Sequence, residues 1–317
     1  MKKFIRIIPL LLFGVLLVAA FLFHQDVYDW WRLRDYDPPK KVLNLAQDTK
    51  LSEEGTRLFY VGHPEIASAE LFNQQCHVEE FSIVLGCYTK RNIYLYNIED
   101  KRLKGVMEVT AAHEMLHVAY ERLSGSERDR INGLLEASYK NVTNPRIRAA
   151  VKQYRENDAS SVPNELHSIL GTEVRELSDE LEAYYGRYFI KRAAVVGLSE
   201  QYEKEFTSRE TRVKKIDKQF ALLKVSIEQN QALLVAKRTD IDNEASRLER
   251  LRSQDQIAAY NSAVPNYNYM ISQYNLLVNT TKDDIATYNQ LVEERNNLAV
   301  EVNDLVQAID STPETIE

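Results

Sequence analysis

A chain of 317 residues with 40 lysines and arginines against 47 aspartates and glutamates carries a formal net charge of −7. That excess of negative charge leaves no basic patch for a phosphate backbone, so nucleic acid is excluded as a partner. The length has room for one core of ordinary size with further segments on either side of it.

Lys2, Lys3 and Arg6 precede an apolar run over residues 7–23. The run is at the short end of what spans a bilayer. Positive charges hold residues 1–6 in the cytoplasm, so the pattern predicts a signal-anchor over 7–23 and an extracytoplasmic remainder. Val18 and Ala20 are small enough for a cleaved signal peptide and secretion, but hydrophobicity continues through Phe21, Leu22 and Phe23 without a polar cleavage region. The membrane is thus an expected partner, with Trp30 and Trp31 at its outer interface. Residues 24–41, ending in Asp37-Pro-Pro-Lys-Lys41, read as a stiff juxtamembrane linker.

A domain is expected over 42–198. Residues 52–61 look like a short helix end and a strand, and the β-branched and aromatic runs 81–88 and 92–98, separated by a polar turn, look like a hairpin. Cys76 and Cys87 are the only cysteines. They are too far apart in sequence for a metal-ligand pair, and in an oxidising compartment they would close a disulfide between a helix end and a strand. Such a crosslink is worth about 3 kcal/mol in the chain-entropy account. Two free buried thiols are the alternative.

The most specific signal follows, in Val109-Thr-Ala-Ala-His-Glu-Met-Leu-His-Val-Ala-Tyr120. His113 and His117, at i and i+4, share a helix face about one turn apart, so both imidazoles can reach one Zn²⁺ at roughly 2.0–2.1 Å. Glu114 then lies beside the metal's open position, where it can serve as general base toward an activated water. The residues around the three are uncharged, as a helix under an active-site cleft requires. His24, His63 and His77 show no ligand spacing, and no role is assigned to them.

This HExxH segment and its flanks resemble the extended motif of the zincin metallopeptidases. Catalytic zinc takes a third protein ligand, and the segment 161–173 is a second helix able to supply it, starting near Ser160 or Ser161 with Pro163 in its first turn. Asn164-Glu165, with Ser168 three residues on, is similar to the Asn-Glu-x-x-Ser arrangement of thermolysin-like gluzincins, which implies Glu165 as the ligand. Where those enzymes place an aspartate, this chain has Ile169. Glu173 is the alternative third ligand, since the two glutamates lie about 12 Å apart along a helix and cannot both bind one ion. His167 is a transition-state donor, a group supporting a ligand, or a packed histidine. Tyr184, Tyr185 and Tyr188 could supply a phenol to an oxyanion, or form an aromatic core face.

The last third differs. There is no glycine from residue 198 to 309, and Val213, Phe220, Ile227, Leu234, Ile241 and Leu248 recur every seven residues. Asn230, Lys237 and Glu244 interrupt the companion row of Ile216, Leu223 and Leu251. Tyr260, Tyr267, Tyr274 and Tyr288 begin a second register, with Val264, Ile271, Val278, Ile285, Val292, Ala299 and Val306 as its other row. These heptads predict a coiled coil over 199–310, broken around 252–256 and Pro265, and most simply folded as an antiparallel hairpin with arms of roughly 70–80 Å. A single long helix that self-associates is the competitor, and residues 311–317 form an acidic tail.

The resemblance implies an α+β zincin-like metallopeptidase domain, a small antiparallel sheet plus helices, followed by an α-helical coiled-coil hairpin. The implied activity is hydrolysis of a peptide or protein substrate with one Zn²⁺, held by His113, His117 and Glu165 or Glu173, and with Glu114 as base. The alternative is a non-catalytic surface scaffold whose coiled coil binds a protein partner or a second copy. An intact Glu114 argues against it, because a structural zinc site has no use for a base.

Overall fold

The computed structural model describes residues 23–76 and 84–311, which form two compact units, one of residues 23–205 with 305–311 and the other of Phe206–Asp304. In the first unit α1 (His24–Leu33), α2 (Lys40–Asp48) and α3 (Glu53–Val61) precede a small sheet. The Ser52 hydroxyl accepts from the Gly55 N–H and starts α3, with Glu53 and Glu54 in the electropositive first turn. One helix therefore replaces the helix end and strand expected at 52–61. Gly55, Leu58 and Phe59 are buried at helical spacing, and that packing overrides the strand preference of the aromatic run.

The sheet contains β1 (Glu65–Ala67), then, after α4 (Ala69–Gln75), β2 (Gly86–Thr89) and β3 (Asn92–Tyr96). The expected hairpin is β2 and β3, antiparallel, with Gly86 opposite Leu95 and Thr89 opposite Asn92. Lys90 and Arg91 make the two-residue turn, both at positive φ, as the twist of a tight hairpin demands. Residues 81–83 of the expected first strand lie outside the described residues. The sheet is mixed rather than antiparallel, because β1 pairs parallel with β3 and makes β3 its centre. A strand as short as β1 leaves no alternation for a sequence to display. Cys76, at the end of α4, is disulfide-bonded to Cys87 on β2, with the Cα atoms 5.9 Å apart.

α5 (Val106–Glu121) carries the HExxH residues. It is apolar nearly all round and packs against α3, β2 and α8 (Val162–Glu173), as a helix in the middle of a core does. α6 (Gly125–Tyr139), α7 (Pro145–Asn157) and α9 (Asp179–Tyr185) complete the shell. Phe59, Met115, Leu116, Ile131, Leu135, Leu166 and Tyr185 are fully buried in the shared core. α8 begins as expected after Ser161 with Pro163 in the first turn, but the Ser161 hydroxyl donates to the Asp158 carbonyl instead of capping.

Residues 24–41 are not the linker that was expected. Asp29 of α1 is 2% exposed and receives Arg122 through two bonds of 2.7 and 2.9 Å and Arg57 at 2.5 Å. Arg32 donates to the Val61 and Arg91 carbonyls and to Asn92 Oδ1. These bonds make α1 part of the domain. The run 7–23 lies, apart from Phe23, outside the described residues. Among the described residues no helix is long and apolar enough to cross a membrane. The expected single-pass membrane placement, with an extracytoplasmic remainder, is therefore not supported and is set aside.

Two helices make up the second unit, α10 (Arg192–Ser253), which begins in the first, and α11 (Ile257–Ile309), which ends there. They pair antiparallel. Arg209 meets Glu301, Arg212 meets Glu294, Phe220 stacks near Tyr288, and Ser226 bonds Asp284, so partners retreat along α11 as they advance along α10. The break falls at residues 254–256, with Asp255 at φ 55. Pro265 lies inside α11 and does not end it. In the row three residues after the tyrosines Ala263 and Leu291 are buried and Met270 and Leu277 half-buried; in the expected row Val264, Ile271, Val278 and Val292 are half-buried and Ile285 is exposed. Asn230, which interrupts the heptads, bonds Asp284 at 3.4 Å beside Ser226 at 2.8 Å.

Residues 305–311 return to the first unit. Leu305 and Ile309 are buried there, Asn73 donates to the Ser311 carbonyl and Tyr96 donates to the Asp310 carbonyl at 3.3 Å.

Asp29→Ala leaves the largely buried Arg122 without its acid, while Arg57 is 40% exposed and keeps Asp26 at 3.9 Å, and a loss of about 3 kcal/mol is expected in urea unfolding. Asp284→Ala removes the shared acceptor of Ser226 and Asn230. The same measurement should give a smaller loss, about 1–2 kcal/mol.

Candidate metal centre

α5 presents His113 and His117 one turn apart, their ring centroids 4.8 Å from each other. The neighbouring α8 brings Glu165 to both. Its Oε2 is 3.5 Å from His113 Nε2 and its Oε1 is 3.7 Å from His117 Nε2, and one donor atom from each residue falls within 4.8 Å of the others. Two imidazole nitrogens and a carboxylate oxygen form a donor set that suits zinc. Two buried carboxylate oxygens at this point, Glu114 Oε2 and Glu165 Oε2, have no well-formed hydrogen bond. Buried anionic oxygens without partners are costly, and a cation at the convergence of the donors would relieve them. The residues therefore fit a divalent metal.

Glu114 is 4% exposed. Burial, and to a lesser degree the charge of Glu165, lifts its pKa to about 7, with His117 partly offsetting them. A carboxyl poised there can take up or release a proton near neutrality. Burial also pushes Glu165 upward, but His113, the charge of His117 and a hydrogen bond from Tyr154 together hold its pKa below the ordinary value.

The edge strand β2 lies directly on this helix. A Cβ on Gly86 would come within 2.5 Å of Thr110 Cγ2 and 2.9 Å of Glu114 Cγ, so only glycine lets the strand backbone lie so close to the Glu114 side chain.

Glu173, the alternative ligand, is engaged elsewhere. It is ion-paired with Arg146, which also lies 3.5 Å from Glu203. His167 is wholly buried, with Nε2 2.8 Å from the Tyr184 hydroxyl, and is packed against Tyr120 and Tyr185. Burial and then the charges of His117 and His113 push its pKa down to about 3, so it stays neutral. Tyr185 donates to the His167 carbonyl at 2.7 Å, and Tyr188 donates to Tyr184. These groups hold α8 in the core and do not join the three converging donors.

Two further residues belong to the site. Tyr154, on α7, hydrogen-bonds the Glu165 carboxylate, and its phenol is raised by burial and by the charges of Glu165 and Glu114, while its side is 37% exposed. In sequence it is one tyrosine between Lys152 and Glu156, with nothing to mark it. Ser168 places its hydroxyl 3.3 Å from His117 Nδ1. Its position after Glu165 was visible, but its target on another helix was not. No protein-family model, no curated protein and no solved structure matches this chain.

Proposed function

We propose that the protein is a zinc-dependent metallopeptidase that hydrolyses peptide bonds. The observation that carries this reading is the convergence of His113, His117 and Glu165 beside a buried Glu114 whose Oε2 has no hydrogen-bond partner among the described residues. A structural zinc site needs no such base. Bound by these three donors, zinc would polarise the scissile carbonyl and lower the pKa of water toward ~7. Glu114, buried beside the three donors, would accept the proton of the attacking water and pass it to the departing amine.

β2 is an edge strand among the described residues, and an extended peptide pairing with its free side would run beside Glu114. Tyr154 reaches the Glu165 carboxylate from the partly exposed side, and by turning its single O–H away from that carboxylate it would donate a hydrogen bond to the developing oxyanion. The substrate is accordingly an extended peptide or a flexible segment of a protein.

The test is zinc content and cleavage of a fluorogenic peptide library by the purified full chain. One zinc per chain, with activity abolished by a chelator and restored by Zn²⁺, is the expected result. Glu114→Gln should keep the zinc and lose about 10²–10⁴-fold in kcat. Tyr154→Phe should also keep it and lose about a hundredfold, with little change in KM. A wild-type protein that binds no zinc would overturn the proposal and leave the helical hairpin, as a partner-binding scaffold, to account for the function.

A further inference from the structure

Ser168 is fully buried on α8, three residues after Glu165, and its Oγ lies 3.3 Å from Nδ1 of His117 on α5. A neutral imidazole carries its proton on one nitrogen and a lone pair on the other. The hydroxyl can serve either nitrogen state as donor or acceptor, and where Nδ1–H donates to the serine oxygen the lone pair is on Nε2, the atom that lies 3.7 Å from Glu165 Oε1. The serine cannot easily move away. Thr172 donates to its backbone carbonyl at 2.8 Å, and Leu166 and Ile169 on the same turn are core residues.

From these contacts we infer that Ser168 is a positioning residue, holding the ring orientation in which His117 can ligate a metal through Nε2 while its Nδ1–H donates to the serine oxygen. This rests on the reading of His113, His117 and Glu165 as ligands. The choice of a hydroxyl has a chemical consequence. A carboxylate at Nδ1 would make the imidazole more basic and add charge, whereas serine fixes its direction without adding charge. The orientation is also tied to Glu165, because both side chains project from one turn of α8.

The experiment measures the zinc dissociation constant of the full chain by competition with a chromophoric chelator, and the d–d absorption of its cobalt(II) form. Wild type, Ser168→Ala and Ser168→Thr are compared. Ser168→Ala should bind zinc about tenfold more weakly and alter the cobalt bands, and Ser168→Thr, which keeps the hydroxyl, should restore both. The melting temperature of the metal-free protein should be similar in all three. Unchanged affinity in Ser168→Ala overturns the inference and leaves the ligand set standing. So does a loss that threonine fails to restore, or one matched by an equal loss of metal-free stability. A wild-type chain that binds neither metal overturns the ligand set, and the inference with it.

Discussion

Two carboxylates, Glu114 and Glu165, are held out of water between a pair of helices, and ionised groups so placed persist only where partners compensate for lost hydration. Glu165 faces two histidines and a phenol, although its Oε2 makes no well-formed hydrogen bond. Glu114 has fewer, and its affinity for a proton rises accordingly. The surroundings keep the two helices from separating to let water in. A Cβ on Gly171 of α8 would come within 2.5 Å of Leu116 on α5, so the close crossing depends on that glycine. Arg146 holds the end of α8 through Glu173, and Tyr185 holds its middle through the His167 carbonyl.

How much of this could be read from residues alone depended on the range of the interaction. The i and i+4 histidines are a local relation, and one helix delivers them wherever it lies. Glu165 was reachable because proline and serine mark the start of its helix and a short resemblance picks it out. The choice between Glu165 and Glu173 depended on Arg146, whose position relative to α8 is a tertiary matter. Tyr154 lies in a charged helix of surface character, and no spacing in the sequence ties it to Glu165. The aromatic cluster around Tyr184 is core.

The same distinction applies away from the site. Heptad spacing fixed the existence of two long helices and the position of their reversal. It did not fix which companion row turns inward, since rows three and four residues from the tyrosines both border a helical seam. α1 was read as a spacer because its exposed tryptophans and charges hide one buried aspartate. An acid that finds two arginines on other elements looks, in sequence, like any surface acid.

The return of residues 305–311 to the first unit joins parts of the chain that are far apart in synthesis. The Ser311 carbonyl meets Asn73 across 238 residues. Were the intervening chain loose, closing so long a loop would carry a considerable entropic penalty. The antiparallel helices remove most of it, because their pairing between Arg209 and Glu301 already brings the two ends of the excursion together. The hairpin thus functions as a staple within the backbone. The contacts of residues 310 and 311 with Tyr96 and Asn73 are thereby coupled to the pairing of the two arms, a link between one end of the hairpin and the packing of the first unit.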